Sequence, residues 1–316
     1  MSSKKRRWLK RIIQTLLALF VLLNVLAAIH AYQFTHFSAA AAKRSSDPLE
    51  MSVGEKAKTL LLGVNNPRPV NVQLPDTSYE HVIIASPDSL ACWWIKVPDA
   101  RGTVILFHGY AGEKSSLLAR AKAFRRLGYH TLLVDFTGAG GSAGNSTSIG
   151  FFEAGQVAAC MRFVQSKNSD PIVLFGTSMG AAAILKAVGE YRLDPSGIVL
   201  ECPFGSMYKT VAARFKLMGA PTFPMAGLLV FWGGVINGFW AFGHNPAEYA
   251  YQVKCPTLLM YGSKDNRVSR EEIDSIFNHL AGKKMLKLYE EAGHDLFPSS
   301  LRQRWQADVA TFLQTL

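Results

Sequence analysis

Cysteine is scarce in this chain of 316 residues, which contains only four. Cys92, Cys160, Cys202 and Cys255 form no C-x-x-C pair and have no zinc-ligand spacing. Cys202 ends one predicted strand and Cys255 begins a parallel neighbour, which places them at opposite sheet edges, roughly 17–20 Å apart. A disulfide needs Cα atoms within about 7 Å of each other. We therefore expect four free thiols and no metal site.

The excess of basic over acidic side chains is small beyond the N-terminus. The formal net charge is +11, from 34 Lys and Arg against 23 Asp and Glu. Six of the basic residues lie within residues 1–11, which leaves 28 basic against 23 acidic side chains in the rest of the chain. That remainder has no basic stripe and no nucleic-acid motif, so we expect no nucleic-acid partner.

Charge is absent from residues 12–31. This length matches the ~20 apolar residues that a helix needs to cross a bilayer, so we predict a transmembrane signal-anchor behind a basic tail, residues 1–11. The tail's charge keeps the N-terminus cytoplasmic and directs the rest of the chain to the far side, the periplasm in a bacterium. A signal peptide cleaved near Ser38-Ala39-Ala40 and a buried core helix are the alternatives. Residues 32–76 then form a flexible connector.

Strand and helix patterns alternate through a predicted domain at residues 77–316. A β-hairpin comes first, followed by βαβα units, which together indicate a mostly parallel central sheet with helices on both faces. Ligands in such sheets bind outside the carboxyl ends of the strands. We therefore look for functional residues at those ends.

The sharpest motif is Gly176-Thr-Ser178-Met-Gly180, a G-x-S-x-G between an apolar strand pattern and a small, apolar helix pattern. A serine on a strained strand-to-helix turn needs neighbours without Cβ atoms, so that the chain can turn and a substrate can approach. Gly176 and Gly180 meet this need. We predict that Ser178 is a nucleophile on such an elbow.

A serine nucleophile needs a base, and the base needs an orienting acid. His294 follows the last predicted strand directly and is our candidate base among eight histidines. Asp265 follows the preceding strand and is our candidate acid. Glu201, at the end of another strand, and Asp295, next to the histidine, are the rival acids.

The segment His108-Gly109-Tyr110 ends the third predicted strand. We expect the backbone amides of Tyr110 and Met179 to form an oxyanion hole, and His108 to orient the loop instead of carrying a proton. A glycine-rich stretch from Gly138 matches a dinucleotide pattern weakly. The next helix begins only near Phe151, too far along for a phosphate to sit on its N-terminus, so no cofactor is expected there.

Residues 204–250 interrupt the alternation, and residues 217–243 carry no charge. Six glycines with Pro221 and Pro224 argue against an uninterrupted helix, and a second span would separate Ser178 from His294 across the membrane. We predict a helical cap insertion. Its apolar surface is interpreted as an acyl pocket or as a membrane-resting face, with plain cap packing as the third reading.

These motifs resemble the α/β-hydrolase superfamily, closest to the membrane-anchored BEM46/ABHD13-like serine hydrolases, from about residue 81 to the C-terminus. The matching positions are His108-Gly109, Gly138-x-Gly140-x-Ser142, Ser148-Ile-Gly150 with Glu153, Gly176-x-Ser178-x-Gly180, Glu201-Cys-Pro203-Phe, Asp265-x-x-Val268 and Gly293-His294. The resemblance implies an α/β-hydrolase fold, a triad in the order Ser178, Asp265, His294, and hydrolysis through an acyl-serine intermediate without metal or cofactor.

The chain departs from that pattern at two positions. Thr137 stands where such sequences usually carry Arg, and Gln156 where they usually carry Asp. Because both positions are neutral together, we expect a lost structural ion pair and not lost catalysis.

Taken together, the sequence indicates a membrane-anchored serine hydrolase, esterase- or lipase-like, that acts on carboxylic esters or thioesters, small or lipid. A serine peptidase for short peptides is the first alternative, although no propeller-sized extension is present to filter substrates. A catalytically silent scaffold that binds a partner through the apolar cap is the second.

Overall fold

A computed structural model describes residues 3–38, 45 and 48–316. Two of the three residues of the predicted cleavage site, at positions 39 and 40, lie outside the described residues.

The described chain is built around one sheet of eight strands in the order β1-β2-β4-β3-β5-β6-β7-β8. β1 pairs antiparallel with β2, and β2 antiparallel with β4, whereas all other neighbours are parallel. The strands are β1 Glu80–Ile84, β2 Leu90–Ile95, β3 Thr103–Phe107, β4 His130–Val134, β5 Ile172–Thr177, β6 Gly197–Glu201, β7 Thr257–Gly262 and β8 Lys284–Tyr289. The predicted hairpin and the mostly parallel sheet are confirmed.

Both faces of the sheet are covered. Every residue of β3, β6 and β7 is buried, and since successive side chains point to opposite faces, neither face meets water. The helices are α1 Ser3–Thr35, α2 Val53–Leu62, α3 Leu118–Arg126, α4 Glu153–Gln165, α5 Met179–Glu190, α6 Met207–Leu217, α7 Met225–Asn237, α8 Pro246–Tyr249, α9 Arg270–His279 and α10 Arg302–Leu313.

The described parts of the predicted connector, residues 32–76, contact the domain that carries the sheet. α1 continues to Thr35, after which the backbone of His36 bridges to Ser146 and that of Ser38 to Pro67. Asn71 donates its side-chain amide to buried Asp135 at 2.8 Å. Through these two backbone bridges and this hydrogen bond, the described parts of the segment pack on the domain. The C-terminal end of α1 therefore lies against the domain, next to the bridges at His36 and Ser38.

The cap insertion consists of α6, α7, α8 and short 3-10 turns. α7 begins after Pro224 and ends at Gly238, whose φ of +73° is a left-handed cap that glycine adopts without strain. Its 13 residues give a length of about 20 Å. α7 packs against α1, so the two longest apolar segments of the chain contact each other.

Candidate active site

The G-x-S-x-G motif forms a sharp turn between β5 and α5. Ser178 has φ +48°, a left-handed conformation that costs energy in a residue with a Cβ atom. A Cβ at Gly176 would lie 2.6 Å from the backbone of Ala181, and one at Gly180 would lie 2.5 Å from the Phe107 carbonyl oxygen. Both glycines are therefore required by close backbone approach. The turn leaves Ser178 half-buried at the carboxyl end of the sheet.

His294 and Asp265 meet at the same edge. The Nδ1 atom of His294 lies 2.7 Å from Oδ2 of Asp265. The other carboxylate oxygen accepts the backbone N–H groups of Arg267 at 2.8 Å and Val268 at 3.1 Å. Burial raises the pKa of Asp265, but the hydrogen bond from His294 and those from the two amides outweigh it and lower the pKa. An ionised Asp265 thus holds the His294 ring with Nδ1 as the donor.

Arg120 engages both rival acids. Its guanidinium contacts the Glu201 carboxylate at 2.8–3.2 Å, and Trp305 donates its indole N–H to the same carboxylate at 2.6 Å. A further guanidinium contact reaches Asp295 at 2.9 Å. Of the three candidate acids, Asp265 is the one hydrogen-bonded to His294.

Cys202 is a neighbour that the sequence reasoning missed. Its sulfur, a carboxylate oxygen of Asp265 and a ring nitrogen of His294 all lie within 4.8 Å of one another. Burial, and then the charge of Asp265, raise the pKa of the Cys202 thiol well above its ordinary value. A metal would need the Cys202 thiolate, and the other two groups, Asp265 and His294, are already hydrogen-bonded to each other at 2.7 Å. All four cysteines are buried and free, as expected.

His108 lies behind the predicted oxyanion loop with both ring nitrogens engaged. Nδ1 donates to the Gly109 carbonyl at 2.8 Å, and Nε2 accepts the Phe136 N–H at 3.1 Å. Burial lowers the pKa of His108, so the ring stays neutral. A neutral ring bonded to backbone on both sides fits an orienting role. A Cβ at Gly109 would lie 3.5 Å from Cβ of Ser178, which places the loop directly against the elbow.

Tyr110, next in this loop, connects it to α1. Its hydroxyl donates to the Phe34 carbonyl of α1 at 2.7 Å and accepts the side-chain amide of Asn66 at 3.0 Å. The guanidinium of Arg214 lies 5.0 Å from the Tyr110 ring centroid and 5.2 Å from that of Phe34. The end of α1 is thus part of the surroundings of the candidate site.

A cavity of about 320 Å³ borders this loop. Tyr110 and Ala111 form one wall of it, and Arg267, two residues from Asp265, forms another. Ser178 and His294 lie outside the lining. The remaining walls come mainly from α1, α2, α6 and α7 and the segments next to them.

The glycine-rich loop after β4 is filled from within. Asp135 accepts the Gly141 N–H at 2.9 Å and pairs with buried Lys114, while Arg68 donates to carbonyls of the loop, including that of Gly140. The polar groups of the loop are therefore engaged in contacts within the protein. This structural role agrees with the weakness of the dinucleotide pattern in the sequence.

The two neutral positions that depart from the family pattern contact each other. The Thr137 N–H donates to Oε1 of Gln156 at 3.0 Å, and Nε2 of Gln156 donates to the Thr137 hydroxyl at 3.0 Å. A reciprocal pair of neutral hydrogen bonds thus occupies the place of the expected ion pair.

The chain is similar in sequence to several known proteins. The family model described as Serine aminopeptidase, S33 (Hydrolase_4) matches residues 98–229. The chain is 23% identical over 222 residues to the uncharacterized protein YqkD of Bacillus subtilis, covering 69% of this chain and 73% of YqkD. It is 24% identical to the protein bem46 of Schizosaccharomyces pombe, with 57% and 56% covered. It is 23% identical to the lysophosphatidylserine lipase ABHD12 of Xenopus tropicalis, with 63% and 52% covered.

A solved structure of similar fold is the Pyrococcus furiosus esterase Pf2001, with a TM-score of 0.67 and 24% identity over 79% of this chain and 97% of the esterase. The chain therefore has the α/β-hydrolase fold, and the predicted fold is confirmed. The similarities to ABHD12 and bem46, both at low identity, also agree with the resemblance noted from the sequence.

Proposed function

We propose that this α/β-hydrolase is a membrane-anchored serine hydrolase that cleaves carboxylic esters or thioesters through an acyl-serine intermediate. The observation that carries the proposal is the 2.7 Å contact of His294 with Asp265, at the sheet edge where the Ser178 elbow also lies. Similarity to an esterase of known structure and to a lysophosphatidylserine lipase supports the ester class.

In the proposed reaction the same groups act once during acylation of Ser178 and once during deacylation. Oγ of Ser178 attacks the ester carbonyl carbon, and Nε2 of His294 takes the hydroxyl proton while Asp265 stabilises the imidazolium. The amides of Tyr110 and Met179 donate to the oxyanion, and Met179 stands at the N-terminus of α5, where the helix dipole adds positive potential. His294 returns the proton to the leaving alcohol or thiol. Water then repeats the sequence on the acyl-serine and releases the acid.

A fluorophosphonate probe tests the nucleophile. The full chain in detergent should be labelled, and Ser178→Ala should abolish labelling, whereas the matched control Ser263→Ala, on an exposed loop at the same edge, should keep it. Absence of labelling in the wild type contradicts the proposal and favours the silent scaffold.

A serine peptidase remains the second candidate because the matching family model is described as a serine aminopeptidase. Aminoacyl amides and esters with the same acyl group distinguish the two. Turnover of the esters well above that of the amides supports the esterase, and efficient cleavage of the amides favours the peptidase.

The membrane part of the proposal rests on α1. Its residues 4–35 include an apolar window with a mean hydropathy of 2.5, only 6% buried within the protein. We propose that α1 spans the bilayer with its basic tail in the cytoplasm, and that the hydrolase domain faces the other side. Protease protection in sealed vesicles tests this: only one orientation leaves the domain inaccessible from the cytoplasmic side.

A further inference from the structure

The exposed and packed parts of α1 decide how the helix can lie in a membrane. Arg11 is the last basic residue of the tail, and the apolar run extends over residues 12–31. Basic side chains are costly inside the hydrocarbon, so for a spanning α1 the cytoplasmic boundary lies near Arg11. A helix rises about 1.5 Å per residue and the hydrocarbon is about 30 Å thick. The boundary on the domain side therefore lies near Ala31.

The exposed part of that run is too short to cross the bilayer by itself. Residues 13–22 are all exposed, whereas Ala27, His30 and Ala31 are buried. Residues 12–22 give a helix of about 16 Å, roughly half of the hydrocarbon thickness. A tilted helix needs even more residues to span the same thickness. The packed half of the run must therefore enter the membrane together with the part of the protein that covers it.

α7 covers the packed half of the run. Ala27 and Ala31 are buried with Leu229 and other α7 residues in one apolar cluster. The indole N–H of Trp232 donates to Oδ1 of Asn24 at 3.1 Å, and Asn24 precedes Ala31 by seven residues, or about 10 Å along the helix axis. A spanning α1 thus carries part of α7 into the hydrocarbon of the leaflet on the domain side.

The contact between Asn24 and Trp232 suits an apolar surrounding. The side-chain amide nitrogen of Asn24 donates to the Phe20 carbonyl at 2.9 Å, while its oxygen accepts the indole N–H. Water would satisfy these polar groups without the contact, whereas hydrocarbon offers them no partner. Asparagine side chains inside membranes typically bond across a pair of helices in this way.

The C-terminal end of α7 also has internal partners for its backbone. The Gly233 carbonyl accepts the side-chain amide of Asn237 at 2.8 Å, and the Gly234 carbonyl accepts the N–H of Phe239 at 3.0 Å. The last carbonyls of a helix have no partner within the helix, and an unpaired one is costly in lipid. These bonds reduce that cost at the end of α7.

The outer surface of the cap is apolar as well. Residues 217–243 carry no charge. Phe231 and Val235 are four residues apart, hence on one face of α7, and both are exposed, as are Phe223 and Trp240 on either side of the helix. Such a surface is unfavourable in water and favourable next to lipid, where indole rings settle at the headgroup depth.

We propose that α7 is immersed in the leaflet on the domain side, so that the cap as well as the anchor binds the membrane. The inference rests on the proposed spanning of the bilayer by α1 and adds a second membrane-binding element. Lipid is the occupant of the exposed face of α7, because the same hydrocarbon surrounds exposed residues 13–22 of the helix on which α7 packs. The cavity beside the oxyanion loop has His30 and Leu229 in its walls and therefore lies at the bilayer boundary.

Fluorescence quenching at single introduced cysteines tests this in the full chain, reconstituted in phosphatidylcholine vesicles. The four native cysteines are buried, so a bimane label reacts selectively with an exposed one. Val235→Cys reports on α7 and Val21→Cys on the exposed half of α1. Tyr191→Cys is the control, because Tyr191 closes the far end of α5, about 18 Å from the elbow at which that helix begins. All three positions are exposed, so the core is left intact.

Two quenchers distinguish lipid from water. One is a phosphatidylcholine with a doxyl group on its acyl chain, and the other is iodide on both sides of the vesicle membrane. We expect the doxyl lipid to quench the labels at Val235→Cys and Val21→Cys several-fold more strongly than the label at Tyr191→Cys, and iodide to show the reverse order. Phe231→Cys, one turn away on the same face of α7, should behave as Val235→Cys does.

The label on α1 separates failure of this inference from failure of the membrane proposal. If the doxyl lipid quenches the label at Val21→Cys while both α7 labels respond to iodide as the control does, α1 spans the bilayer and the immersion of α7 is wrong. If the α7 labels are shielded from both quenchers and transfer energy between molecules, a second copy of the chain covers α7, which also overturns the inference. If the label at Val21→Cys is open to iodide and not to the lipid, the spanning of α1 and the immersion of α7 both fall.

Discussion

Arg120 and Glu201 form a buried ion pair with guanidinium–carboxylate contacts of 2.8–3.2 Å. Glu201 ends β6, one strand from the elbow, a position in the chain that also suits a triad acid. The buried Glu201 carboxylate already has a full set of partners. It therefore has no capacity left to accept a hydrogen bond from His294. At this sheet edge Glu201 is therefore paired with Arg120, whereas Asp265 is hydrogen-bonded to His294.

Two isosteric substitutions should show that separation. Asp265→Asn should lower turnover by roughly 10⁴-fold with the fold intact, since an asparagine holds the imidazole in the wrong tautomer. Glu201→Gln should instead lower the free energy of unfolding by about 3 kcal/mol, because Arg120 is left with Asp295 as its carboxylate partner. Steady-state kinetics and thermal unfolding of both variants check this. If Glu201→Gln is the inactive variant, the acid has been misassigned.

A pH dependence of stability is expected from His244 in the cap. The ring is buried, contacts the Ile149 carbonyl and the Tyr249 hydroxyl, each at 3.1 Å, and burial lowers its pKa from 6.5 to about 4. A lowered folded-state pKa contributes stability that is present above pH 6.5 and is lost as the pH falls through about 4. The loss over that window is roughly 3 kcal/mol.

Urea unfolding between pH 7 and pH 4 measures this loss. His244→Phe should be less stable at pH 7, for want of the two hydrogen bonds, but should lose less stability on acidification. Some slope should remain in the variant, because the pKa of buried His108 is also lowered. Parallel pH profiles of the variant and the wild type would contradict the assignment to His244.

The elbow was predictable because its signal is local. Gly176, Ser178 and Gly180 stand within five residues, and the strand and helix patterns on either side impose the turn. The choice of acid was less accessible to sequence reasoning. Arg120, which engages Glu201, lies 81 residues away in the chain, so no local pattern connects them.

The packing of the anchor on the cap could not be read from the sequence for a different reason. Residues 12–31 and α7 carry no charge and few polar side chains, and a helix without a distinct polar face does not show which side binds a partner. The close approach depends on small residues such as Ala27 and Ala31, which also occur in ordinary membrane spans. The contacts just after Thr35 are made by backbone bridges. No residue pattern predicts such bridges.

The neutral pair that replaces the expected ion pair should be structural. Gln156→Leu leaves the buried Thr137 N–H and hydroxyl without their amide partner, at a cost of about 1–3 kcal/mol in the free energy of unfolding. The control Gln165→Leu removes an exposed amide from the same helix and should cost less than about 0.5 kcal/mol. Chemical denaturation of both variants measures the difference. Equal stability of the two would show that the reciprocal hydrogen bonds contribute nothing.

Trp232 and Asn24, which share a hydrogen bond of 3.1 Å, should be energetically coupled in the full chain. A flexible tether would leave these residues independent, whereas a docked α1 couples them. Trp232→Phe and Asn24→Leu should each lower the thermal stability of the full chain in detergent micelles, and the double variant should lose less than the sum. The coupling should be about 0.6–2 kcal/mol, the range of hydrogen bonds between membrane helices. Trp240→Phe combined with Asn24→Leu is the control, because Trp240 is exposed, and its effects should add. Additive effects in the Trp232 pair would mean that α1 and α7 do not act as one unit.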